Sequence, residues 1–293
     1  MIYTEVHRRQ MKVKSDGVSK SSYSPADDGP LRVSKSSLMT YMMCPRQFYW
    51  KYVAGIPSPP PTEQAIRGGQ IHEVMEVGLL QGPDSVSGKA QELGVETDPA
   101  VEALTLMIHQ IAHDMGPFEV IEAEVKHVID ENYEGKSIQW VGLIDGLIKF
   151  ETGEVVMVEL KTGKMNAGKL SRTRKELLYY RRMLTLMDGY EEPTHFMYIS
   201  PDYEHTPNDK LLNEGNKRGK RLCLCPEQGI VIMEPIGKRS INAFTESLSS
   251  TIADLTLQQW PMNWNEYFCP LWCEFCLSCE AELTGDIEEG EWL

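Results

Sequence analysis

A chain of 293 residues, 41% of them apolar, can bury a substantial core as one large domain or two modest ones. Its formal charge of -14 and pI near 5.0 exclude a uniformly basic nucleic-acid coat protein, though not local basic patches. No window approaches eighteen uninterrupted apolar residues, and the opening "MIYTEVHRRQMKVKSDG" lacks the apolar run of a secretion signal, so a cytoplasmic protein with no membrane partner is expected.

Residues 1–32 are polar and aperiodic, which predicts a flexible arm. "SKSSLMTYMMCPRQFYWKYVAGI" then predicts a helix capped by Ser36 or Ser37 and broken into two at Pro45, before the stiff loop "IPSPPPTEQ". From Ile66, a turn leads into an amphipathic helix with Ile71, Met75 and Leu79 four apart and His72 in its first turns. Another helix covers 100–115. "FEVIEAEVKHVID" switches to strand-like alternation and turns at "ENYEGK". "SIQWVGLIDGLIKF" and "VVMVELKT", joined by "ETGE", predict an antiparallel hairpin. The helix "SRTRKELLYYRRMLTLM" follows. "PTHFMYIS" and "GIVIMEPI" add strands, with the basic loop "NKRGKR" between them. "SINAFTESLSSTIADLTL", capped by Ser240, is the last long helix. This order of elements indicates an α/β fold with a central sheet.

Within the hairpin, Glu159 and Lys161 are two residues apart and share a face of the strand, while Val158 and Leu160 face the other layer. Charges in a half-buried place must be offset by pairing or by a metal. Asp145 on the partner strand aims a second carboxylate toward the same point. Two carboxylates form a hard oxygen site for Mg²⁺ or Mn²⁺, and a neighbouring lysine can position or deprotonate a water. On spacing alone, a cross-strand salt bridge describes Glu159 and Lys161 equally well. The segment "KTGKMNAGKLSRTRK" that follows is strongly basic, and the tail "CEAELTGDIEEGEWL" is acidic; solvated surface charge is the plain alternative for both.

Four of the seven cysteines, Cys269, Cys273, Cys276 and Cys279, crowd into eleven residues. In a chain expected to be cytoplasmic, that crowding suggests metal or cluster ligation rather than disulfides. Cys44 stands apart before Pro45, and Cys223 and Cys225 in "RLCLCP" fit ordinary strand positions.

Five blocks in order, "LMTYMMCPRQFYWKYV", "GGQIHEVME", "VGLIDGLI", "VVMVELKTGK" and "ELLYYRRML", resemble the PD-(D/E)xK nuclease superfamily. The resemblance is to its RecB-like branch, which includes the AddB nuclease domain, CRISPR-associated adaptation nucleases and viral exonucleases. It implies a restriction-endonuclease-like core with a central mixed sheet flanked by helices. The expected layout is one nuclease domain over 33–293, with a helical N-terminal lobe (33–115), a catalytic core (116–260) and a cluster-bearing cysteine-rich segment (261–293). It further implies that His72, Asp145, Glu159 and the Leu160 carbonyl hold Mg²⁺ or Mn²⁺ and that Lys161 is catalytic. Tyr180 matches a helical DNA-contacting motif whose first position is Glu176 here instead of Gln; an ionised Glu cannot donate a hydrogen bond to phosphate. Glu124 matches an acidic residue on the preceding strand.

For the cysteines, the resemblance implies a 4Fe-4S cluster held by Cys44 with Cys269, Cys273 and Cys279, with Cys276 as the alternative ligand; structural Zn²⁺ is the rival. The implied activity is metal-dependent DNA hydrolysis, exonucleolytic on single-stranded ends, with Lys164, Lys169, Arg172, Arg174 and Lys175 along the approach. It is expected to work in recombination, repair, replication or CRISPR adaptation, in a prokaryotic or virus-infected cell, beside a separate helicase or recombination or integration partner. A catalytically silent DNA-binding or assembly subunit with the same fold, and a zinc-stabilised interaction module, remain alternatives.

Overall fold

A computed structural model describes residues 29–204, 219–224 and 228–285. Residues 1–28 of the expected arm, Cys225, residues 216–218 of the basic loop and the acidic tail from 286 lie outside the described residues. The last residues given to the arm are ordered otherwise than expected, because strand β1 begins at Leu31 (Leu31–Ser34). The chain divides into two compact units, one of Met1–Pro60, Asp130–Trp140 and Glu246–Leu293, the other of Pro61–Ile129 and Val141–Thr245.

In the first unit, helix α1 (Lys35–Met43) is capped by Ser34 rather than by Ser36 or Ser37. Ser34 Oγ accepts from the Ser37 amide at 3.1 Å and Ser37 Oγ accepts from the Ser34 amide at 2.9 Å, so two orphan donors are satisfied reciprocally. The break falls where it is expected: Cys44 is extended, and Pro45 opens the short helix α2 (Pro45–Phe48), which runs into a π-turn over Tyr49–Val53. This N-terminal stretch is tied to residues more than two hundred positions away. Tyr41 donates its hydroxyl to the Gln259 carbonyl at 2.8 Å, and the Arg46 amide donates to the Pro261 carbonyl at 3.2 Å. The Phe48 ring stacks on Trp260 at 5.5 Å.

In the second unit, helix α3 (Glu63–Gln81) starts at Thr62, whose hydroxyl accepts from the Ala65 amide. The expected turn at Gly68 and Gly69 is therefore helical, and His72 lies near the middle of the helix, not in its first turns. A short helix α4 (Val86–Leu93), unforeseen in the sequence, and α5 (Pro99–Met115), capped by Asp98, follow. Strands β2 (Phe118–Tyr133) and β3 (Lys136–Phe150) meet at Glu134 and Gly135, both with positive φ, as a two-residue hairpin turn requires. Then come β4 (Val155–Leu160), α6 (Ala167–Leu184), β5 (His195–Glu204), the short unforeseen β6 (Arg221–Leu224) and β7 (Gln228–Pro235). Helix α7 (Lys238–Thr256) begins two residues before Ser240. The C-terminal segment carries α8 (Cys269–Trp272) and α9 (Cys276–Thr284).

The seven strands form one mixed sheet in the order β1-β3-β4-β5-β7-β6, with β2 also paired to β3. Within it β3 and β4 are antiparallel, whereas β4 and β5 are parallel. Every residue of β4 is buried. Val156, Val158 and Leu160 join Met197 and Ile199 of β5 in a core closed by Ile71, Met75, Leu104 and Met107 of α3 and α5. Helix α6 covers β4 and β5 with its own buried row, Leu170, Leu177 and Tyr180.

Helix α6 lies so close to β3 that a Cβ on Gly142 would come 2.9 Å from Tyr180 Cε1 and 2.8 Å from Met183 Sδ. Gly142→Ala should therefore cost about 1–3 kcal/mol through overpacking. Gly88→Ala, on α4 with no neighbour within 4 Å, should gain up to about 1 kcal/mol of helix propensity. Thermal melts of the two variants test the contrast.

Candidate metal centre

Gly146 pairs with Val158 across the β3–β4 hairpin, so continuing the register one step sets Asp145 beside Glu159. Both carboxylates are nearly closed off, with 5% and 1% of their surface exposed. The Leu160 amide donates to Asp145 Oδ2 at 2.9 Å, which fixes one carboxylate oxygen. From α3, His72 Nδ1 comes within 3.5 Å of Asp145 Oδ2 and 3.2 Å of Glu124 Oε1. Ligand atoms of His72, Glu124 and Asp145 lie within 4.8 Å of one another. Glu124 reaches this point from β2 because its own backbone is left-handed, φ 50, a conformation that costs a non-glycine residue of the order of 1 kcal/mol and redirects its side chain.

Lys161 follows directly after β4, its amide still bonded to the Ile199 carbonyl at 2.9 Å. Its ammonium donates to Glu159 Oε1 at 2.6 Å and to Glu176 Oε2 of α6 at 2.8 Å. Helix α6 is held in place by Tyr179, whose hydroxyl donates to the Val141 carbonyl at 2.9 Å and accepts from the Val141 amide at 3.2 Å. Tyr180, 2% exposed, is kept protonated chiefly by burial and then by the charges of Glu159 and Asp145.

The site has an excess of negative charge. Burial alone would lower the His72 pKa, but the Glu124 hydrogen bond and the charges of Asp145, Glu124 and Glu159 outweigh it and raise His72 above its usual value. One imidazole nitrogen and two carboxylates within reach of a single point are a donor set that fits a hard or borderline divalent ion, with Mn²⁺ favoured by the nitrogen.

Thus His72, Glu124 and Asp145 converge on one point, with Glu159 on the neighbouring strand bonded to Lys161. Glu176 sits on Lys161. Of the basic residues, Lys164 and Arg172 lie on the exposed side at the start of α6, while Lys169 donates to the Thr162 carbonyl at 2.6 Å. Arg174 is paired with buried Glu234, which also accepts from Tyr198 and Lys220. Sequence reasoning missed the bond between Lys161 and Glu176, for which a glutamate in the glutamine position was the available signal. It also missed a cluster of Arg67, Asp98 and Asp202 beside the loop after Lys161, which no local pattern marks.

In the first unit, Cys269, Cys276 and Cys279 are buried and Cys44 and Cys273 half-buried. Trp50, Phe275 and Cys279 form a small apolar core, with Tyr49, Met262 and Trp264 packed against it. Burial raises the Cys273 thiol, burial first and neighbouring charge second push Cys276 up to about 12, and burial pushes Cys279 up to about 12.

The mixed seven-stranded sheet flanked by helices is the α/β architecture of restriction-endonuclease-like proteins. Residues 32–280 match the family model described as the PD-(D/E)XK nuclease superfamily, and the chain belongs to that superfamily. Membership implies a nuclease acting on DNA. No curated protein matches the chain. A solved structure titled "Crystal structure of SSO0001" aligns over 86% of this chain and 87% of that one, at 18% identity and a TM-score of 0.36, too distant a likeness to inform fold or activity. No helix among the described residues is long and apolar enough to cross a membrane.

A proton on His72 competes with a metal ion. Because the pKa of His72 is raised above about 6.5, apparent Mn²⁺ affinity should fall as pH drops through that raised value, by up to about tenfold per unit. Mn²⁺ titrations followed by EPR should show this slope in wild type and a flattened slope with weaker binding in His72→Gln. A pH-independent wild type would contradict the assignment of His72 to the ion.

Proposed function

We propose that the chain is a Mg²⁺- or Mn²⁺-dependent deoxyribonuclease, an exonuclease trimming single-stranded DNA ends in the cytoplasm beside a separate helicase or recombination or integration partner. The observation that carries this is the convergence of His72, Glu124 and Asp145 within 4.8 Å, with Lys161 fixed between Glu159 and Glu176. His72, Asp145, Glu159 and the Leu160 carbonyl would hold the ion, with Glu124 at its side. A divalent ion bound there supplies a Lewis acid for the scissile phosphate and lowers the pKa of a bound water.

Lys161 places its ammonium beside that water's position, and Glu159 and Glu176 restrict where it can point. Ionised Glu176 accepts from Lys161, so it serves the lysine rather than donating to phosphate. Tyr180, almost wholly buried on α6, keeps its proton. Lys164, Lys169 and Arg172, with the N-terminus of α6, present positive charge to the incoming backbone; Arg174 works through its pair with Glu234 to hold that helix. The tie between Lys161 and Glu176 also fits a second reading, a catalytically silent DNA-binding subunit that retains the fold.

The cysteines of the first unit are proposed to hold a 4Fe-4S cluster, with a structural zinc as the rival. Cys269 receives an N–H bond from the Asn265 amide at 3.3 Å. Such a bond suits a cluster thiolate. Cys276 directs its thiol to Glu280 Oε1 at 3.7 Å and Cys269 directs its own to the Asn263 carbonyl at 4.0 Å; Cys44, Cys269, Cys273 and Cys279 are the proposed ligands, with Cys276 as the alternative.

Asp145→Ala and Lys161→Ala should each lower cleavage of end-labelled single-stranded DNA by at least about a hundredfold. If wild type is as inert as both variants with either metal, the silent subunit is the correct assignment. After anaerobic purification, iron and sulfide should persist in Cys276→Ser and be lost in Cys44→Ser; stoichiometric zinc without iron would overturn the cluster.

A further inference from the structure

Outside the metal centre, Arg67 on α3 is a heavily bonded charged side chain. Its Nε and Nη2 donate to Asp98 at 2.5 and 2.7 Å, and its Nη1 and Nη2 donate to Asp202 at 2.8 and 2.7 Å. The guanidinium thus grips two carboxylates at once, each through two bonds, a geometry that lysine cannot reproduce. Both acids have a second task. Asp98 Oδ1 accepts from the Ala100 amide at 2.9 Å and so caps α5. Asp202 Oδ2 accepts from the Gly163 amide at 2.5 Å.

Gly163 lies two residues past Lys161 and is left-handed at φ +74, which glycine adopts without cost. The turn it makes is fixed from three sides. Asp202 holds its amide, Lys169 donates to the Thr162 carbonyl, and α3 presses on Thr162 through Gly68, where a Cβ would stand 3.1 Å from Thr162 Oγ1. The helix that presses there is also the helix that carries His72, five residues beyond Arg67.

We infer that Arg67 and Asp202 form a positioning clamp that fixes the helix bearing His72 against the turn after Lys161, and so sets the spacing between the metal-binding half and the lysine half of the centre. The inference rests on the nuclease assignment for its kinetic consequence, but not for its structural one. Neither residue touches substrate or ion. Asp202 keeps its charge: burial acts to raise its pKa, and the bonds from Arg67 and Gly163 together hold it below the usual carboxylate range. Both partners of the clamp are thereby favoured in their charged forms.

Arg67→Lys and Asp202→Asn should lower kcat by about 10- to 100-fold and leave the KM for DNA within about twofold of wild type, since exposed Lys164 and Arg172 are untouched. Mn²⁺ affinity read by EPR should weaken in both, because His72 is no longer held in place. In Asp202→Asn, the Gly163 amide should lose protection from hydrogen exchange. Arg67→Ala should regain activity on addition of guanidinium at the order of millimolar, where the same concentration of NaCl does nothing; such rescue restores the fork and not the helix.

Folded Arg67→Lys and Asp202→Asn variants with wild-type kcat and Mn²⁺ affinity would overturn the clamp. So would losses that track the thermal midpoint alone, without guanidinium rescue. If wild type proves inert on every DNA substrate, the nuclease assignment falls, yet Mn²⁺ affinity and Gly163 exchange still decide the clamp.

Discussion

Asp145 and Glu124 bring carboxylate oxygens within 4.8 Å of each other, and Asp145 stands beside an almost wholly buried Glu159. At that distance and an effective dielectric constant near 20, the Asp145–Glu124 pair repels by about 3 kcal/mol, before the cost of removing the charges from water. A fold tolerates this only by placing positive partners around it. Lys161 answers Glu159, and a raised His72 answers Asp145 and Glu124. Much of the surrounding structure holds these compensating groups in place: β4 for Glu159 and Lys161, α3 for His72, α6 for Glu176, and a left-handed residue in β2 for Glu124. The same charge excess that strains the protein makes it receptive to a divalent cation.

The support beneath the site is apolar. Val156, Val158 and Leu160 alternate with the functional positions of β4 and pack on α3 and α5, so the strand is anchored by one face and reactive on the other. Helix α6 adds the second constraint, because Tyr179 is locked to the backbone of β3 and Gly142 admits its close approach. The first unit uses different means to the same end. Stacked aromatic rings and the ion pairs Arg46–Glu282 and Lys51–Glu274 bring residues near Cys44 together with the C-terminal cysteines.

The hairpin of β3 and β4 was readable because apolar alternation and a glycine turn are local signals, and the Asp145, Glu159 and Lys161 positions followed from strand periodicity. The start of α3 was not, since Gly68 and Gly69 lower helix propensity; the small size of Gly68 serves the approach to Thr162, a partner almost a hundred residues away. Glu124 needed a backbone conformation that its sequence does not announce. The Ser34 cap was misplaced by two or three residues because three serines, Ser34, Ser36 and Ser37, are all chemically able to cap. The short β6 and α4 have too few residues to show a period. The clamp of Arg67, Asp98 and Asp202 joins three elements by charge alone, and charge complementarity between distant segments leaves no periodic trace.

The central claim is that these buried acids exist to hold a metal ion between α3 and the β3–β4 hairpin. Anomalous diffraction at the manganese edge, from crystals equilibrated with Mn²⁺, tests it most directly. The account predicts a single strong peak within coordination distance of His72 Nδ1, Asp145 and Glu159. Saturating Mn²⁺ with no peak there, or with peaks only at exposed carboxylates elsewhere, would contradict it.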